Sequence, residues 1–149
     1  MNVREENKES VPARRARLTK IVRFEAAHQL PGHQGKCANL HGHSYTLEVS
    51  VEGPIKQVPG ASDDGMVMDF QEISTIIQRS VLQRLDHQFL NEVIKERSTA
   101  ENLACWIWDA LLTGGLSADL LSQVRLWETT TGYVDVTAAI RSKRKAVVI

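Results

Sequence analysis

The chain has 149 residues, a length suited to one domain with a single buried core. Its 18 basic residues balance its 18 acidic ones, which excludes the broadly basic surface that binding to nucleic acid or an anionic membrane calls for. No apolar run approaches the roughly 18 residues needed to cross a bilayer, and two cysteines, Cys37 and Cys105, are too few for a disulfide framework.

Residues 1–17 are polar, with Arg14, Arg15 and Arg17 near the end, and lack apolar periodicity. They read as a flexible N-terminal tail, leaving 18–149 as a single domain. No apolar segment follows the charged start, which predicts no signal peptide. With free thiols, this points to a cytoplasmic setting.

From Lys20 to His28 the sequence alternates, with Val22, Phe24, Ala26 and His28 on one face, and this predicts a strand. The stretch Leu30-Pro31-Gly32-His33-Gln34-Gly35 supplies turn formers. A second strand starts at His41 and carries His43, Tyr45, Leu47, Val49 and Val51 on one face until Gly53-Pro54. Asp69 reads as a helix N-cap with Glu72 as its capping-box partner, followed by a stripe of Phe70, Ile73, Ile77, Val81 and Leu85. A second helix is expected to start at Ser98, with Glu101 as partner, and to stop at Gly114-Gly115. Strands over Val124 to Thr129 and Tyr133 to Ile140 close the chain, joined by a turn at Thr131-Gly132. The order is strand, strand, helix, helix, strand, strand. It predicts an α+β domain in which two helices cover one face of a four-stranded antiparallel sheet. The edges of such a sheet stay open, which favours association of copies through them.

His41 and His43 stand two apart on a strand and project to the same side, with Gly42 adding no bulk between them. His28 ends the preceding strand on its apolar face. If the two strands pair, three imidazoles converge on one point. Three histidines leave the fourth position of a Zn²⁺ ion open, which is the catalytic pattern. Cys37 as a fourth ligand would instead close a structural Cys-His₃ site, and the spacing alone allows both.

Cys37 follows Lys36 in the loop before His41; a cation and a metal beside it both favour thiolate, the form that acts as base or nucleophile. Cys105, between Ala104 and Trp106 in mid-helix, reads as a small core residue. The pair Asp86-His87 ends the first helix and is a candidate proton carrier, although histidine at a helix C-terminus also suits the helix dipole. Glu128 shares a strand face with Val124 and Leu126, so its carboxylate sits at a solvated rim or is buried with a donor partner.

With these residues in view, the chain resembles the 6-pyruvoyltetrahydropterin synthase superfamily, and within it most resembles the 6-carboxy-5,6,7,8-tetrahydropterin synthase branch of queuosine biosynthesis. The resemblance rests on Phe24-Glu-Ala-Ala-His28, Cys37-Ala-Asn-Leu-His-Gly-His-Ser-Tyr45, Gly65-Met-Val-Met-Asp-Phe70, Leu85-Asp-His87 with Leu90-Asn91, Ser98-Thr-Ala-Glu-Asn102 and Glu128-Thr129, in that order. The Cys-x₃-His-Gly-His spacing from Cys37 to His43 is similar to that of the carboxy-forming branch. The resemblance implies His28, His41 and His43 as zinc ligands, Cys37 as base, and His87 with Asp86 as its proton-transfer partners, supplied across a subunit interface. It implies that Glu128, with Thr99 nearby, holds the amino-pyrimidinone edge of a pterin triphosphate. It also implies the tunnelling fold, assembled as a homohexamer from two trimers with active sites between subunits.

Overall fold

A computed structural model describes residues 12–142. Strand β1 (Arg15–His28) and strand β2 (His41–Pro54) form one antiparallel ladder that runs from Arg15 opposite Pro54 to His28 opposite His41. Strand β1 therefore starts earlier than the alternation suggests. Arg15, Ala16 and Arg17, expected in the tail, pair with Pro54, Gly53 and Glu52. Arg15 and Arg17 hide the strand: residues 15–17 are all exposed, so this end of the ladder shows no run of buried apolar side chains. The tail through residue 11, and residues 143–149 of the expected domain, lie outside the described residues.

The first helix, α1, covers 70–85. Asp69 caps it by accepting from the Gln71 N–H at 2.7 Å. Its middle, Gln78–Leu82, is a π turn between Phe70–Ile77 and Gln83–Leu85. This accounts for the stripe of Ile73, Ile77, Val81 and Leu85, all fully buried at four-residue steps. At about 3.6 residues per turn such a row drifts round the helix, and one wider i→i+5 turn takes up the drift. Phe70, expected in that stripe, is exposed instead; it is the first helical residue, ahead of the part that reaches the sheet.

A two-residue strand β3 (Gln88–Phe89) and a short helix α2 (Leu90–Val93) lead to helix α3 (Ala100–Thr113). Thr99, rather than Ser98, caps α3 by accepting from the Asn102 N–H. The helix ends as expected: Gly115 takes φ +104°, and the Leu116 N–H reaches back to the Leu111 carbonyl. Strands β4 (Leu121–Thr129) and β5 (Gly132–Thr137) form the expected hairpin, but β5 stops short of Ile140 and a final turn of helix, α4 (Ala138–Ser142), follows.

The sheet has five strands in the order β3-β1-β2-β4-β5. It is mixed rather than antiparallel throughout, because β3 lies parallel to β1 through Ala26–Gln88 and Ala27–Phe89. Two paired residues carry no periodicity, so this fifth strand has no signature in the sequence. One face of the sheet takes the helices: Phe24, Tyr45, Leu47, Val49, Val124 and Leu126 pack there against Leu103, Ile107 and Leu111 of α3 and the α1 stripe. Phe24 stacks on Tyr45 with ring centroids 4.9 Å apart. The other face is polar, with Arg125 held by both oxygens of Asp135 and the Trp127 indole N–H donating to Glu48. One edge of the sheet is β5; at the other, β3 pairs with only Ala26 and Ala27 of β1. Among the described residues no helix is long and apolar enough to cross a membrane.

Candidate metal centre

The β1–β2 ladder ends where the histidines lie. His28 stands directly opposite His41, and His43 follows opposite Ala26, so all three rings reach the helix-covered side of the sheet. Nε2 of His28 is 3.0 Å from Nε2 of His41 and 3.2 Å from Nε2 of His43. Two imidazole nitrogens bound to one tetrahedral ion at about 2.0–2.1 Å stand roughly 3.3 Å from each other, so the observed separations fit a shared ligand sphere.

Two of the rings are turned by their other nitrogen. Nδ1 of His28, which is fully buried, lies 2.7 Å from the Ser98 carbonyl oxygen, and Nδ1 of His41 lies 2.7 Å from that of Asn39. A carbonyl only accepts, so each Nδ1 carries the ring proton and each Nε2 offers a lone pair to the middle of the cluster. Lone pairs this close repel one another unless a cation lies between them, and carbonyls behind the rings are the usual outer support of a histidine metal site. Burial pushes the imidazolium pKa of His43 down; the Glu128 charge opposes this, and His28 and His41 reinforce it. The neutral, ligating form is the one favoured. His28, His41 and His43 could therefore hold a metal ion. Among the described residues the group consists of these three side chains, without Cys37.

Around this centre the other expected residues fall at different distances. Glu128 is on the same side, at an irregularity in β4 between Trp127 and Thr129, with Oε1 3.7 Å from Nε2 of both His28 and His43. With its side chain 32% exposed, it stands between the solvated rim and the buried, donor-paired placement that the strand face allows. Cys37 lies in a 3₁₀ turn, Lys36–Ala38, as a half-buried free thiol. Its carbonyl accepts from the Leu30 N–H at 2.7 Å and so closes the loop that carries it. Cys105 is also free, and packs against the core as expected.

Asp86 and His87 come together at the other rim. Asp86 Oδ1 is 3.0 Å from His87 Nδ1 and accepts from the Glu25 N–H, also at 3.0 Å. That backbone bond first, and His87 after it, hold the Asp86 carboxyl below its ordinary range. His87 takes φ 58°, a left-handed backbone that is unusual for a residue with a side chain. Its N–H donates to the Glu25 carbonyl at 2.6 Å, which fixes this conformation. The ring lines a cavity of about 480 Å³ together with Glu25, Gly42, His43, Ser44 and Phe89. No hydrogen bond joins Cys37 to the Asp86–His87 pair among the described residues of one chain. Thr99 uses its hydroxyl as a helix cap.

Nothing local in the sequence marks a role at the site for Ser98, Asn91 or Tyr45. Ser98 reads as a cap because serine favours that position, and no local pattern shows that its carbonyl meets His28. Asn91 lay within a matched motif without an evident task. Tyr45 is fully buried beside His43, and its hydroxyl has no hydrogen-bond partner among the described residues. Burial, and then the Glu128 charge, push its phenol pKa far up.

The chain is similar to several known proteins. A 6-carboxy-5,6,7,8-tetrahydropterin synthase of Synechocystis is 42% identical over 115 residues, covering 76% of this chain and 87% of its relative. The protein of the same name from Haemophilus influenzae is 31% identical over 140 residues, 80% of this chain and 96% of that one. The structure of Caenorhabditis elegans 6-pyruvoyl tetrahydropterin synthase superposes with a TM-score of 0.75 at 25% identity, covering 85% of this chain and 97% of that one. Residues 17–139 match the profile described as 6-pyruvoyl tetrahydropterin synthase, and the chain belongs to that family of pterin-processing enzymes.

Proposed function

We propose that this protein is a zinc-dependent carbon–carbon lyase that converts 7,8-dihydroneopterin triphosphate to 6-carboxy-5,6,7,8-tetrahydropterin, releasing acetaldehyde and triphosphate, as a cytoplasmic step of queuosine biosynthesis. The observation that carries this reading is the convergence of three Nε2 atoms with the Nδ1 atoms of His28 and His41 already bonded to carbonyls. It supports a three-ligand site with a position left for substrate. The names of the Synechocystis and Haemophilus relatives support the carboxy-forming reaction.

An all-imidazole donor set suits zinc. Zinc bound there would supply Lewis acidity toward the side-chain oxygens of the substrate. The protein's own groups then handle protons and orientation. Cys37, next to Lys36, is the base. Asp86 holds Nδ1–H of His87, a residue that lines the cavity, and leaves its other nitrogen to carry protons to and from the substrate side chain. His87 and Asp86, which no hydrogen bond joins to Cys37 among the described residues of one chain, serve a neighbouring subunit's Cys37 in a homohexamer of two trimers. The β5 edge, and the length of β1 that β3 leaves unpaired among the described residues, support such an assembly. Glu128 takes part in proton transfer and, with Thr99, holds the amino-pyrimidinone edge. Triphosphate leaves by elimination; a retro-aldol break with uptake of one water then divides the carbon skeleton between acetaldehyde and the carboxypterin. The redox change stays within the substrate, so the reaction calls for no flavin or nicotinamide.

Incubation with the substrate is expected to release acetaldehyde in step with triphosphate, and chelation is expected to stop both. Triphosphate release with a diketo pterin and no acetaldehyde would instead show the pyruvoyl-forming reaction, the alternative favoured by the name of the Caenorhabditis structure. A structural Cys-His₃ or pterin-binding module predicts neither product, and the ligand group of three histidines without Cys37 among the described residues speaks against the Cys-His₃ form.

A further inference from the structure

Strand β3 has two residues, too few to hold a place in a sheet by ladder bonds alone. Side chains lengthen it at both ends. At one end, Asp86 Oδ1 takes the Glu25 N–H. At the other, the side-chain amide of Asn91 takes both backbone groups of Gln29: Oδ1 accepts from the Gln29 N–H at 3.0 Å and Nδ2 donates to the Gln29 carbonyl at 2.8 Å. The β1–β2 ladder ends at His28, so Gln29 is the first residue beyond it, and the Asn91 amide stands in for the missing strand.

The orientation of that amide is fixed. Asn91 Oδ1 faces the Gln29 N–H and, at 3.2 Å, the Ser98 hydroxyl, whose one proton has the Gln29 carbonyl at 3.4 Å as its other acceptor, while Nδ2 faces that carbonyl. Ser98 is 1% exposed, and its carbonyl receives Nδ1–H of His28. The backbone after His28 and the ring of His28 are thus held by one small buried network built from Asn91 and Ser98.

We infer that Asn91, braced by the Ser98 hydroxyl, is a positioning residue for the metal centre: it locks Gln29 and thereby sets the direction from which His28 Nε2 meets the ion. This rests on the metal reading above. Outer supports of this kind change metal affinity by about 10–100-fold when removed. Asn91→Asp is the sharpest variant, because it keeps the volume and one accepting oxygen but turns the 2.8 Å contact with the Gln29 carbonyl into a repulsion.

The test is titration of the metal-free full chain with Zn²⁺ against a chromophoric chelator, and with Co²⁺ for its absorption bands. The wild type is expected to bind one ion per chain. Asn91→Asp and Asn91→Ala are expected to bind at least tenfold more weakly with altered Co²⁺ bands, and Ser98→Ala more weakly by a smaller factor. Leu111→Ala, a core variant near the far end of α3, is expected to lose thermal stability without this loss of affinity. Wild-type affinity and bands in both Asn91 variants, or an equal affinity loss in Leu111→Ala, would overturn the inference. If the Asn91 variants do not fold, Ser98→Ala decides by the same measure. Failure of the wild type itself to bind either ion would mark the metal reading, and not only the role of Asn91, as wrong.

Discussion

Glu128 Oε1 lies 3.7 Å from His43 Nε2 and at the same distance from His28 Nε2, so a carboxylate sits beside the ring cluster, and among the described residues no side chain hydrogen-bonds to it. Three imidazoles suffice to hold an ion. Glu128→Gln, which keeps shape and removes charge, is therefore expected to leave bound metal at wild-type stoichiometry. If Glu128 moves protons as proposed, kcat falls by about 10²–10⁴-fold. Metal content by elemental analysis and turnover on the same preparation check the two halves separately.

The histidines differ in what they hold besides the ion. His28 is fully buried and satisfies the Ser98 carbonyl, whereas His41 is half-buried and bonds to Asn39 at the surface. Both His28→Ala and His41→Ala are expected to lose the metal. Only His28→Ala also leaves a buried acceptor unmet, at a cost of about 1–3 kcal/mol, plus a cavity. Denaturant unfolding of the two metal-free variants should show His28→Ala as clearly the less stable.

Much of this was legible in the sequence. The alternation from Lys20 to His28 and from His41 to Val51 gave both strands and the shared face of the three rings, since period two is a strong signal when one face is buried. The helix stripe and the Gly114-Gly115 stop were equally plain. Other features were not legible. Strand β3 is held by two residue pairs and by the side chains of Asp86 and Asn91, contacts that no local pattern encodes. Ser98 resembled a helix cap, while its use depends on a carbonyl meeting a ring far away in the chain. The π turn at Gln78–Leu82 was hidden because a four-residue repeat still reads as helical.

Cys37 separates an open from a closed site. It lies outside the three-nitrogen group, on a turn fixed by the Leu30–Cys37 backbone bond. Cys37→Ala preserves that bond, because it runs through the carbonyl. It is therefore expected to retain the metal and the unfolding midpoint while turnover falls by about 10²-fold or more. Loss of both metal and stability in this variant would instead identify Cys37 as a structural ligand.

The pH dependence of stability has a traceable source in the polar face of the sheet. Asp135 accepts from Arg125 Nε at 2.8 Å and from Nη2 at 2.9 Å, tying β5 to β4 next to the strand end that carries Glu128. The Arg125 bond holds the Asp135 carboxyl below its ordinary value. A depressed carboxyl stabilises the fold above its unfolded pKa, near 3.9, and that stabilisation fades as pH falls through the lower folded value. Both side chains are 30% exposed, so solvent limits the pair to about 1 kcal/mol or less at neutral pH. Asp135→Asn is expected to be less stable than the wild type by that amount at pH 7. The gap should close only as the solution is taken below about pH 4, where the wild-type carboxyl also loses its charge. Urea unfolding of both proteins across this range measures the gap directly; a difference that stays constant down to pH 2 would mean that Asp135 acts through packing rather than charge.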